Sequence, residues 1–320
     1  MKKQLIINAD DFGIHPAVNE AVRKAATEGI LTSTSLMAGG DAFDEAVEMA
    51  RSMPSLGIGI HLTLVGGIKP VLPPSEVPSL TWDNGVFCHD YGKLIVRDLE
   101  GKISLSEVYA EWDAQIQKIM NTGLLVTHMD GHQHMHMWPH FYPIARDLAK
   151  KYHISCMRVP DEDVLFGMKD GHIIRWAAKN GLSLLSRMHR PDLKKNHIRT
   201  NDHFFGMLYG GHLNPERFAK FILQTRPGIT EIMCHPSADT RAMEDTFHWG
   251  YHGEDELAGL LADINRELIE KKQISLISYR NVREKPESTI LSGGFSDTIR
   301  SDKENHSDKR IAERRGSRNH

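Results

Sequence analysis

Cysteine is scarce: the 320 residues hold three, Cys88, Cys156 and Cys234, with no CxxC spacing among them. An odd, scattered set excludes a disulfide framework and a zinc ribbon, and it fits a reducing compartment. Long hydrophobic runs are missing as well. The amino-terminal apolar run is only Leu5-Ile6-Ile7 before Asn8, Asp10 and Asp11, too short for the apolar region of a signal peptide, and no stretch approaches the roughly 18–20 apolar residues of a membrane span. A cytoplasmic location is therefore expected. Nor does one sign of charge dominate: 39 Lys and Arg against 42 Asp and Glu give a net charge of −3, which offers no electrostatic case for nucleic acid or an anionic membrane as a partner. What the sequence does have is histidine, 19 in all, within an ordinary globular composition of 40% hydrophobic and 25% charged residues.

From Lys285 to His320 charged residues abound and apolar ones are few. That stretch cannot bury a core and is expected to be a disordered polar tail, leaving 1–284 as one folded domain. Within it, β-rich apolar runs alternate with amphipathic stretches. Strands are predicted at Leu5–Ile7, Ile30–Met37, Gly57–Leu64, Leu124–Thr127, Ile154–Val159, Ile229–Cys234 and Ile274–Ser278. Helices are predicted from Pro16 to a stop at Gly29, over Ala42–Met53, after a Ser104-x-x-Glu107 capping box, and over Pro139–Tyr152, Gly171–Arg187 and Glu254–Lys272. Seven strands with helices between most of them imply a parallel sheet, as a barrel or doubly wound. Two long insertions interrupt the pattern. Gly66–Gly101, with four prolines and Trp82, Phe87 and Tyr91, suits a rigid lid with aromatic contacts; Pro191–Asn214 suits a pocket wall.

Polar residues at the strand ends are Asp10 and Asp11 after the first strand, His61 in the third, and His128, Asp130, His132, His134 and His136 after the fourth. Arg158 and His235 end two later strands. In parallel α/β folds those ends meet at one face, so residues far apart in sequence converge. Singly, each has a plain structural explanation: an acidic pair caps a turn, a strand histidine sits satisfied in the interior, a histidine run lies on the surface. Jointly, one Asp and two His make a three-ligand divalent site with open positions, the pattern of catalytic metals. In an extended chain the adjacent carboxylates of Asp10 and Asp11 point to opposite faces, so one is expected to be a ligand and its neighbour a base. Two imidazoles and a carboxylate suit zinc, manganese, cobalt or nickel better than magnesium.

At these positions the sequence resembles the YdjC-like carbohydrate deacetylases, which include chitooligosaccharide deacetylases and hopanoid-associated deacetylases. The matching segments are Asn8-Ala9-Asp10-Asp11-Phe12-Gly13, Thr32-Ser33-Thr34, Gly59-Ile60-His61, Thr127 to His136 (THMDGHQHMH), and Met233-Cys234-His235-Pro236. The resemblance implies an irregular, TIM-like (β/α) barrel that removes acetyl groups from N-acetylated mono- or oligosaccharides with one divalent metal, often described as magnesium, and it implies a homodimer. By position it makes Asp11, His61 and His132 the metal ligands, Asp10 the general base and His235 a general acid or transition-state stabiliser. His128, Asp130, His134 and His136 become ligand-orienting or substrate-contacting groups, and Arg158 either binds a sugar hydroxyl or pairs with an acid. Two other readings remain: hydrolysis of a phosphoester or glycosidic bond on the same barrel, the latter with Asp130 or Asp202 as a second carboxylate, and a sugar-binding protein without turnover, for which both Asp10 and His235 would be superfluous.

Overall fold

In the computed structural model, which describes residues 2–82, 84–164, 166 and 173–283, seven strands form one sheet in which every pairing is parallel. They are β1 (Lys3–Phe12), β2 (Ser33–Leu36), β3 (Gly57–Leu62), β4 (Val126–Gly131), β5 (His203–Phe205), β6 (Gly228–Cys234) and β7 (Ser275–Leu276). The order is β4-β3-β2-β1-β6-β5, with β7 set against the first residues of β1. Helices cover the sheet: α1 (Pro16–Glu28), α2 (Phe43–Ser52), α3 (Tyr91–Leu99), α4 (Leu105–Met120), α5 (Tyr142–Lys151), α6 (Ile173–Lys195), α7 (Pro215–Leu223), α8 (Thr240–Phe247), α9 (Gly253–Leu261), α10 (Asp263–Lys271) and α11 (Tyr279–Arg283). The fold is an irregular, incompletely closed β/α barrel.

The irregularity lies between β4 and β5. The predicted strand Ile154–Val159 is instead an extended segment without a ladder of its own, touching β4 at Met129↔Met157 and the chain before β5 at Cys156↔Arg199. Its backbone is still satisfied: Met129 N donates to Cys156 O, Arg158 N to Met129 O and Met157 N to Arg199 O, each at 2.9–3.0 Å. The seventh strand is β5, three residues inside the second predicted insertion. The central strands β1, β3 and β4 are buried on both faces over most of their length, as parallel strands under helices must be, whereas the two residues of β7 are exposed.

Helix ends follow local chemistry. Pro16 opens α1 and His15 Nδ1 accepts from Ala17 N. Gly29 closes it by leaving helical geometry (φ −112°, ψ −149°), at a position where a Cβ would lie 2.6 Å from Leu260 O. Ser104 caps α4, its Oγ accepting from Glu107 N; of the apolar periodic positions Leu105, Val108, Trp112, Ile116 and Ile119, the last four face the core while Leu105, in the first turn, is exposed. The reciprocal half of the expected capping box is absent, since Glu107 accepts from Ser79 N instead. The predicted helix Glu254–Lys272 is two, α9 and α10, broken at Ala262 where ψ is 123°. Residues Met1–Lys285 form one compact unit; the expected tail and the start expected for α6 at Gly171 lie outside the described residues. Among the described residues no helix is long and apolar enough to cross a membrane.

Candidate active site

The carboxyl ends of the strands converge as parallel topology requires. β1 carries Asp10 and Asp11, β3 His61, β4 His128 and Asp130, the short 3-10 stretch His132–Met137 the next three histidines, and His235 follows β6. Asp10 and Asp11 do not alternate as an extended chain would have them. Ala9 pairs with Thr34 but Phe12 with Leu36, so β1 spends one residue more than β2 over this span, and Asp11 sits at φ 66°. This bulge brings two successive carboxylates into one site.

Asp11 Oδ1 lies 2.9 Å from His132 Nδ1 and 3.2 Å from His61 Nε2, and those two nitrogens are 3.4 Å apart. Ligand atoms about 2.0–2.2 Å from a tetrahedral ion stand about 3.3 Å from one another, so the three atoms fit a divalent cation. The far nitrogen of His61, Nδ1, lies 2.8 Å from Asp130 Oδ1, the carboxylate brace that holds a ligating imidazole in one orientation. Electrostatics agree. Burial pulls the His61 pKa down, but the charge of Asp130 and hydrogen bonds to Asp11 and Asp130 outweigh it and push it up to about 10. Burial would raise Asp11, yet the charges and hydrogen bonds of His132 and His61 hold it well below the usual carboxylate range. Positive charge is thus favoured where a cation would sit.

Beneath these groups lies Arg158, fully buried. Its Nη1 and Nη2 donate to Asp10 Oδ2 and Oδ1 at 2.6 and 2.7 Å, Nη2 lies 2.9 Å from Asp130 Oδ2, and Nε donates to Glu231 Oε1 at 2.8 Å. Of the two roles open for Arg158, the structure builds the acidic pairing. Glu231 also accepts from Tyr279 Oη at 2.6 Å, and burial pushes its pKa up to about 7. Asp10 Oδ1 accepts additionally from Asn8 Nδ2 at 2.8 Å, whereas among the described residues Oδ2 accepts from Arg158 alone and keeps a free lone pair.

A cavity of about 400 Å³ opens on this constellation and is lined by Asp10, His132, His134 and His235 at its polar end. Its other walls are elements that carried no site residue in the sequence: Ala178, Lys179, Leu182 and Leu185 of α6, Tyr91 and Ile95 of α3, and Trp138. Trp138 is fixed by its Nε1 donating to Asp98 Oδ2 at 2.6 Å. Of the three aromatic residues in the first insertion only Tyr91 reaches the cavity; Phe87 is core and Trp82 lies against Arg97. The second insertion contributes Met207 and Gly210. Trp249 and Tyr251, on the loop after α8, place their rings 5.1 Å from His132 and 4.8 Å from His235.

The remaining histidines divide. His128 is in the floor, its ring stacked 4.0 Å from Tyr279 and so close to Gly59 that a Cβ there would sit 2.4 Å away. His136 Nε2 lies 3.1 Å from Arg158 O. Burial lowers both to about 4, so they are neutral at pH 7. Burial likewise lowers His134 and His235, against the opposing charges of Asp11 and Asp10 in the case of His235. His134 Nδ1, His132 Nε2, His235 Nδ1 and Trp249 Nε1 are buried without a hydrogen bond among the described residues, leaving them for a ligand or water.

Sequence and structure comparisons place these residues in context. A family model described as "YdjC-like protein" matches residues 4–271. A carbohydrate deacetylase of Geobacillus stearothermophilus is 31% identical over 281 residues, covering 88% of this chain and 98% of that protein. One from Enterococcus faecalis is 31% identical over 286 residues with the same coverage of each. Among solved structures, a putative cellobiose-phosphate cleavage protein from Enterococcus faecalis superposes with a TM-score of 0.69 at 30% identity, covering 88% of this chain and all of that one.

Proposed function

The chain belongs to the YdjC-like family, and from that footing we propose that it is a hydrolase that removes acetyl groups from N-acetylated carbohydrates with a divalent metal ion. The observation that carries the proposal is the meeting of Asp11 Oδ1, His61 Nε2 and His132 Nδ1 at 2.9–3.4 Å beside a cavity that Asp10 and His235 also line. Those three residues would hold the ion. When bound it supplies Lewis acidity, polarising the acetyl carbonyl and acidifying water.

The chain's own residues do the rest. Asp130 orients His61, and Arg158 holds Asp10 by both oxygens with the free lone pair of Oδ2 as the only place left for a proton. Asp10 takes the proton of the attacking water there. His235, neutral at rest because it is buried, must gain a proton during the reaction before it can give one to the departing amine. Its Nδ1 has no competing partner among the described residues. The donor chemistry, two imidazoles and one carboxylate, favours zinc, manganese, cobalt or nickel over magnesium.

A glycosidic reading needs two carboxylates across the scissile bond. Asp10 is the sole carboxylate among the described residues lining the 400 Å³ cavity, Asp130 is taken up by His61 and Arg158, and Asp202 accepts from Ile229 N at a different pocket. The test is a panel of N-acetylated mono- and oligosaccharides with zinc, manganese, cobalt, nickel and magnesium, assayed separately for acetate, phosphate and reducing ends. Acetate release by metal-loaded protein is expected. Its absence across the panel, with metal and sugar both bound, would favour a binding protein instead.

A further inference from the structure

We propose that a small cavity behind Asp10 and Asp11 receives the acyl group of the substrate and limits it to acetyl, the cavity and the catalytic cleft meeting at the scissile amide; this rests on the deacetylase reading above.

The cavity measures about 20 Å³ against about 400 Å³ for the cleft. By the measure on which about 10–15 Å³ admits one water, it takes a single group of that order, a methyl but not an ethyl. Its apolar wall is Val18 of α1, Met243 of α8, Pro236 and Trp249. The rest of its lining is Asp10, Asp11, His235, Ser237, Tyr251 and Gly253. Neither His61 nor His132 borders it, so it is separate from the point enclosed by Asp11, His61 and His132. Cleft and cavity share Asp10, His235 and Tyr251.

That shared border is where the reacting carbon belongs. A sugar in the cleft presents its amide between Asp10 and His235, with the nitrogen on the cleft side and the acyl methyl directed past Asp10 towards Val18 and Met243. Hydrolysis adds water across the bond: the carbonyl carbon gains the hydroxyl and leaves as a carboxylic acid, the C–N bond breaks, and the nitrogen keeps the electron pair and takes the proton. The apolar side of the cavity fits a methyl, since Val18, Met243, Pro236 and Trp249 line it and Val18 belongs to the buried core. One surplus methylene in such a pocket shifts specificity by about 10- to 200-fold.

The experiment compares kcat/KM for N-acetyl-, N-propionyl- and N-butyrylglucosamine, each as monosaccharide and as β-1,4-linked disaccharide, in the metal-loaded full chain and in two variants. Met243→Ala, at a half-buried position of α8, opens the cavity; Val18→Leu fills it. The wild type is expected to favour acetyl over propionyl by at least about 10-fold, Met243→Ala to narrow that ratio at least fivefold, and Val18→Leu to lower acetyl turnover with melting temperature and metal content kept. If the wild type releases all three acids with kcat/KM values within twofold, or if neither variant moves the ratio, the cavity holds only water and the proposal is overturned while the deacetylase reading stands. If no acid is released from any probe in either form, the deacetylase reading fails and takes this one with it.

Discussion

Replacing Arg158 with Met tests the buried charge cluster most directly. The guanidinium is wholly buried and serves Asp10, Asp130 and Glu231 through contacts of 2.6–2.9 Å. Deleting one partner of a buried ion pair costs about 3–5 kcal/mol because the other charge is stranded, and here three carboxylates lose the same partner. A loss of at least that size is expected, a drop in melting temperature of about 6–20 °C for a chain of this size. The loss has a pH signature. Stranded, Glu231 rises in pKa beyond the value of about 7 that burial already gives it in the intact protein. The folded variant then holds a proton on Glu231 that the unfolded chain releases, so its stability falls as pH rises above the ordinary carboxylate range and through the raised value. Denaturant unfolding at about pH 5.5 and pH 8 should show the smaller deficit at the acid end. Adding Glu231→Gln, which removes one stranded charge and keeps an acceptor for Tyr279 Oη, should recover part of the loss. A deficit under about 1 kcal/mol, or one equal at both pH values, would refute the view that Arg158 neutralises this cluster.

Three further outcomes are expected. Asp130→Asn weakens the brace on His61 and should lower metal affinity about 10- to 100-fold in a chelator competition; unchanged affinity means Asp130 does not orient that ligand. Asp10→Asn should cut kcat about 10²- to 10⁴-fold while bound metal, measured by elemental analysis, stays at the wild-type level; activity within twofold of wild type removes Asp10 from the base role. Gly66→Ala introduces a Cβ 2.7 Å from His132 Nε2 at a φ of 94°, so a destabilisation of about 1–3 kcal/mol and weakened metal binding are expected, and a variant that matches wild type in both would mean His132 has room to shift.

How much of this was legible in the sequence depends on whether the signal is periodic. Asp10, His61, Asp130, Arg158 and His235 could be placed at one face because each lies in or just after an apolar run near its carboxyl end and parallel topology collects such ends. The relation between Asp10 and Asp11 was misjudged because a period of two presupposes a regular strand, and the extra residue opposite Thr34–Leu36 leaves no mark in composition. Ile154–Val159 has the look of a strand but spans the barrel's seam, where neighbouring register rather than residue type decides whether a ladder forms. β5, only three residues long, was lost within an insertion. Trp138, Trp249, Tyr251 and Lys179 were missed for a different reason: they enter the site from loops and from the flank of a long helix, where cavity-facing and core-facing side chains look alike.

The bulge in β1 also bears on how such a site can be altered. Removing either acidic residue by deletion would do more than subtract a carboxylate, for it would return β1 to regular pairing and rotate Phe12, now fully buried, to the other side of the strand. Grafting the ligands onto a barrel whose first strand is regular would likewise deliver one carboxylate to the interior and aim its neighbour at the surrounding helices. The irregular backbone has to be transplanted together with the side chains.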